Sequence, residues 1–106
     1  MKSIESSCPC TRAIYLIGSR WNLIIINQLF LNNEPMRFND ILKAAHPISS
    51  KTLSSKLKYL KNIGIIQRKV IDETPVRIQY SLTEMGLELQ TLLDAMRDWS
   101  IKWTNP

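Results

Sequence analysis

The 106-residue chain is poor in the residues that build metal centres, disulfide scaffolds and flexible linkers. It has one His and two Cys. A structural zinc site takes about four nitrogen or sulfur ligands, and Cys8, Cys10 and His46 supply three at unsuitable spacing. The two Cys flank a single Pro, too close for an ordinary loop-closing disulfide, so a secreted disulfide framework is not expected. Three Gly and five Pro exclude a collagen-like or low-complexity chain. With one His there is no Ser/His/acid or Cys/His constellation, and Asp40, Glu84 and Glu88 are too scattered for a carboxylate pair. No glycine loop is suited to cradle phosphate. Neither an enzyme nor a bound cofactor or metal is expected, and His46, before Pro47, reads as a turn residue.

Membrane signals are also lacking. Residues 1–7 are polar, without the apolar stretch or small-residue cleavage site of an export signal. The most apolar region, residues 13–31, is broken by Gly18-Ser19-Arg20 and by Asn22, Asn27 and Gln28, whereas a membrane span needs about 20 predominantly apolar residues. The expectation is a cytoplasmic protein with no membrane contact.

What the chain has is a core and an uneven charge. Hydrophobic residues make up 44% and charged residues 22%, enough for one folded domain over residues 1–106. The net charge is +5. Residues 37–80 carry nine Lys/Arg against three acids, net +6, while residues 81–106 carry two against four, net −2. From His46 to Ile71 there is no acid at all among six Lys/Arg. A solvated basic face is one reading of this stretch; a footprint for a polyanion is the other.

The hydrophobic pattern is mainly α with a small β-hairpin. A short helix is expected over residues 11–17. A second, capped by Ser19 and apolar nearly all round, runs to about residue 31 and is central. Met36-Arg37-Phe38 reads as a brief edge strand. A third helix follows to about residue 45. A fourth is capped by Ser49 or Ser50 and carries one apolar stripe of Leu53, Leu57, Leu60 and Ile63, with Gly64 ending it. The third and fourth helices form a helix-turn-helix over about 38–63. Residues 65–82 form a hairpin, with Val76, Ile78, Tyr80 and Leu82 alternating against Arg77, Gln79 and Ser81. Thr83 caps a last helix over about 83–103, in which Met85, Leu89, Leu92, Met96, Trp99 and Trp103 follow the 4-3-4-3-4 spacing of a packing seam.

At about 100° per residue, the fourth helix turns Lys51, Ser55, Lys58 and Asn62 away from its apolar stripe, flanked by Thr52, Ser54 and Lys56. These side chains suit a DNA major groove. The N-terminal residues Ser50, Lys51, Thr52, Ser54 and Ser55 are the candidates for base contact, and Lys56, Lys58 and Lys61 for phosphate. On the hairpin, Arg68, Lys69 and Arg77 add cations on either side of a tip that carries the discordant acids Asp72 and Glu73.

These blocks, in order, resemble the HxlR-type winged helix-turn-helix transcriptional regulators, relatives of the MarR type. The resemblance runs from Cys8 to Trp103. It rests on Cys8-Pro9, Ile17-Gly18-Ser19-Arg20-Trp21, Arg37-Phe38-Asn39-Asp40-Ile41, Ile48-Ser49-Ser50-Lys51-Thr52-Leu53-Ser54, Leu57-Lys58-Tyr59-Leu60, Gly64-Ile65-Ile66-Gln67-Arg68 and residues 75–86. Gln79, where the family commonly has an acid, and Pro75-Val76, in place of a more proline-rich turn, are departures. The resemblance implies a homodimer on double-stranded DNA with a palindromic operator, its first and last helices serving as dimerisation helices. It also implies Arg20 and Arg37 near the backbone, Ser49 and the rest of the fourth helix at the groove, and Arg77 in the wing. The effector is not implied. Some members sense oxidants through a Cys at the position of Cys8, and a thiol just before a helix N-terminus, with Arg12 one turn on, favours thiolate. Cys10 has less support. The competing class is a winged helix used as a protein-interaction module, which the acid-free stretch disfavours.

Overall fold

The computed structural model describes residues 7–106; residues 1–6, most of the polar start read above for an export signal, lie outside them. Helix α1 (Pro9–Ile17) begins two residues before the expected start, with Pro at a position where its missing N–H costs nothing. Helix α2 (Arg20–Asn32) is capped by Ser19, whose hydroxyl accepts the Asn22 N–H at 3.3 Å. It is the central helix, burying Asn22, Ile25, Ile26 and Leu29. Asn22 Oδ1 is buried and accepts no hydrogen bond among the described residues.

Helix α3 (Phe38–Ala44) starts where the Arg37 N–H donates to the Asp40 carboxylate at 3.1 Å. Helix α4 (Ser50–Asn62) buries Leu53, Leu57 and Leu60 as its stripe requires. By area, each contributes on the order of 2 kcal/mol to the core. Gly64 follows α4 with φ of 91°, a left-handed conformation that favours glycine. The chain then enters β1 (Ile66–Ile71), which pairs antiparallel with β2 (Arg77–Leu82) from Ile66↔Leu82 to Ile71↔Arg77. The expected edge strand shrinks to one residue: Met36 exchanges two backbone hydrogen bonds with Tyr80, at 2.9 and 2.8 Å, and Phe38 already belongs to α3.

The expected last helix is divided. Helix α5 (Glu84–Leu87) and helix α6 (Gln90–Trp103) are separated by a turn at Glu88 and Leu89, where the Leu89 N–H reaches back to the Gly86 carbonyl at 3.0 Å. The cause lies at the junction with the wing. The Thr83 hydroxyl caps α5, accepting from the Gly86 N–H, and meets the Ile65 carbonyl at 3.0 Å. Gly86 is pressed so close to the residue before β1 that a Cβ there would lie 2.2 Å from the Ile65 carbonyl oxygen. The turn then redirects the chain so that Leu89 and Leu93 both pack against the core.

The core itself is formed by α2, α3, α4 and the base of the hairpin. Among the described residues no single helix is long and apolar enough to cross a membrane. Helices α1 and α2 qualify by length and composition only as a pair bent by 83°, and Ile25, Ile26 and Leu29 of α2 are buried inside the protein.

Candidate nucleic-acid interface

The reading face is set by what α4 buries. With Leu53, Leu57 and Leu60 inward, Ser50, Lys51, Ser54, Ser55, Lys58, Lys61 and Asn62 are exposed. Three of the expected contact residues are placed otherwise. Ser49 is occupied as the cap: its hydroxyl accepts the Thr52 N–H at 3.1 Å and donates to the Thr52 hydroxyl at 3.0 Å. Lys56 sits beside the apolar stripe and is half-buried, so its head lies at the flank of the face. Thr52 is likewise half-buried.

Helix α4 is tied to α1 as well as to the core. The Tyr59 hydroxyl donates to the Leu16 carbonyl at 2.6 Å, a contact the sequence did not signal. Arg20 lies exposed at the first turn of α2 with its guanidinium 4.7 Å from the centre of the Trp21 ring. Arg37 is exposed beside Met36, where the helix-turn-helix meets the wing.

The wing's register sorts its cations. Arg68 is opposite Tyr80 and shares a face with Ile66, Val70, Ile78 and Leu82. Lys69, opposite Gln79, shares the other face with Gln67, Ser81 and Arg77. The Gln67 side-chain amide donates to the Ser81 hydroxyl at 3.1 Å on that polar face. Arg77 is engaged with Glu73, its Nη2 2.6 Å from Glu73 Oε1.

Away from this surface lies an apolar one. On α6, Leu92, Met96, Trp99 and Trp103 are exposed and lie within about 60° of one another around the helix. Met85 is exposed too, but on α5, and Leu89 is half-buried against its own domain, so the six-residue seam does not form one ridge. Leu93, absent from the expected set, shares the inward side with Leu89. Ile14 and Tyr15 expose apolar surface on α1.

Cys8 and Cys10 are both exposed at the start of α1. The Thr11 hydroxyl, then the backbone N–H groups of Thr11 and Cys10, stabilise the Cys8 thiolate and hold its pKa below the usual thiol value. Among the described residues, no three His, Cys, Asp or Glu side chains come together in a way that could hold a metal ion.

Comparison with known proteins identifies the family and the fold. The family model described as HxlR-like helix-turn-helix matches residues 16–106. The HTH-type transcriptional regulator YvaP of Bacillus subtilis (strain 168) is 39% identical over 100 residues, covering 93% of this chain and 91% of its own. YodB of the same organism, also an HTH-type transcriptional regulator, is 38% identical over 103 residues, covering 96% and 90%. The solved reduced form of YodB superposes with a TM-score of 0.80 over 95% of this chain and 98% of that one. The redox regulator HypR in its oxidised form, 27% identical, superposes with a TM-score of 0.84 over 93% and 100%. These relatives are transcriptional regulators rather than enzymes. By residues and by fold, the chain belongs to the HxlR-like helix-turn-helix family.

Proposed function

We propose that the protein is a cytoplasmic homodimer that binds a palindromic operator, with α4 in the major groove and the wing against the neighbouring backbone or minor groove. The observation that carries this reading is the exposed face of α4, which presents Lys51, Ser55, Lys58 and Asn62 with no acid among them. Ser50, Lys51, Ser54 and Ser55, on the first turns, meet base edges, with Thr52 at their margin. Lys58 and Lys61, with Lys56 at the flank, hold phosphates, as do Arg20 and Arg37. Ser49 contributes by fixing the N-terminus of α4. Arg68, Lys69 and Arg77 serve the wing.

The apolar faces of α6 and α1 are the dimer surface in this reading. Two-fold symmetry then sets the two α4 helices about 34–36 Å apart, one turn of DNA. The lowered pKa of Cys8 supports a thiol-responsive switch at the start of α1, and the likeness to YodB, solved in a reduced form, and to a protein named a redox regulator points the same way. The test is a fluorescence-anisotropy scan with duplexes tiled across the DNA upstream of the protein's own gene and its neighbours. A dyad-symmetric site bound well above random duplex is expected, with affinity falling steeply as salt rises. Equal binding to every duplex would overturn the operator reading.

A further inference from the structure

The acids of the wing tip are out of keeping with the segment they interrupt. Residues 37–80 hold three acids. Asp40 is accounted for at the start of α3, where it accepts the Arg37 N–H. Glu73 has a different partner. Its Oε1 accepts from both Nε and Nη2 of Arg77, at 3.1 and 2.6 Å. The hairpin holds the two residues together: the Glu73 N–H donates to the Ile71 carbonyl at 2.9 Å, and Ile71 is in register with Arg77. The pair is partly exposed, with side chains 35% and 52% accessible for Arg77 and Glu73. The carboxylate thus occupies the guanidinium edge that a phosphate would take.

We propose that Glu73 is a competitor for the wing's arginine: it stands in for phosphate in the unbound protein and is displaced when the wing engages DNA. This rests on the DNA-binding reading above. The latch is weak by design of its surroundings. An exposed ion pair shifts an equilibrium by at most about fivefold, so two wings in a dimer shift DNA affinity by at most about 25-fold. A narrow minor groove, with its enhanced negative potential, draws Arg77 off, whereas an ordinary duplex competes less well. Glu73 therefore raises discrimination between operator and random DNA without touching either.

The experiment compares the full chain with its Glu73→Gln, Asp72→Asn, Arg77→Ala and Glu73→Gln/Arg77→Ala variants. Binding to a random-sequence duplex is followed by anisotropy across a salt series. Glu73→Gln is expected to tighten binding by about two- to 25-fold. It also steepens the log–log salt slope by about one to two, as freed arginines reach phosphates. Asp72→Asn removes the same charge one residue away without releasing Arg77, so its effect is smaller and leaves the slope unchanged. In the Arg77→Ala background, Glu73→Gln should do no more than Asp72→Asn. A Glu73→Gln effect equal to that of Asp72→Asn, or one that persists without Arg77, would mean simple charge removal and overturn the latch. Wild-type binding that Glu73→Gln leaves unaltered overturns the latch alone. Failure of every form to bind any duplex overturns the DNA reading and the latch with it.

Discussion

Replacing Trp99 with Ala should dissociate the proposed dimer while sparing the fold. Trp99 is 62% exposed on the outer face of α6. A Trp side chain offers up to about 250 Å², so roughly 150 Å² of it is left for a partner to cover. Full coverage contributes on the order of 4 kcal/mol at about 25 cal/mol per Å². Ala retains a small part of that contact and interfaces pack imperfectly, which makes about 2 kcal/mol per subunit the expected loss, the level of an interface hot spot. In a two-fold dimer the residue enters twice, so the loss is about 4 kcal/mol, or roughly a thousandfold in the dimer dissociation constant. Sedimentation velocity over a concentration series reads this shift, and a thermal melt checks the fold. Ile101→Ala is the internal control: Ile101 is 72% exposed but lies on the opposite side of α6 from Trp99, about 200° away. Dimerisation unchanged in both variants, or weakened equally in both, would refute the outer-face assignment.

Two further outcomes separate the roles assigned to single residues. Lys51→Ala, on the first turn of α4, should relax discrimination at one operator base pair by about 1–3 kcal/mol. Lys58→Ala should instead weaken operator and random duplex alike and lower the salt slope by about one for each subunit; identical losses on both duplexes for both variants would contradict the division. At Cys8 the thiolate is favoured in the folded chain, so iodoacetamide labelling should reach half its plateau at lower pH in native than in denaturant-unfolded protein. Thr11→Ala should move the native midpoint upward, towards the unfolded one, and coincident midpoints for native and unfolded protein would remove the basis for a reactive thiol. If Cys8 is the switch, diamide changes operator binding by wild type and leaves Cys8→Ser unaffected.

Periodic features were legible in the sequence and crossings between elements were not. The stripe Leu53–Leu57–Leu60 names the buried side of α4 without any knowledge of its neighbours, because 3.6-residue periodicity is a local property. Ser49 and Gly64 mark the ends of α4 for equally local reasons. The division between α5 and α6 escaped because the 4-3 spacing continues across Glu88 and Leu89 as though the helix did. Gly86 was the available signal, a weak helix former at the third residue of α5, but its cause is the Ile65 carbonyl some twenty residues earlier. That break also explains why Leu89 turns inward and why Leu93, outside the 4-3 spacing, joins it. The pairing of Arg77 with Glu73 is not legible in the sequence, since residues four apart across a turn have no fixed geometry until the strand register sets it. The Tyr59–Leu16 contact joins residues 43 apart and leaves no mark on either local pattern.

The placement of the core has an evolutionary consequence. Among the described residues, every buried apolar side chain lies between Ile17 and Ile66, and α6 buries none. The head that carries α4 is therefore held together by one stretch of sequence, and the outer face of α6 belongs to another. Drift on that face leaves the melting of the head almost untouched, so in the proposed dimer it is filtered by which copies associate. In the proposed dimer, two such chains can therefore diverge in pairing after a gene duplication before they diverge in fold, with Leu92, Met96, Trp99 and Trp103 as the positions where that divergence is expected first.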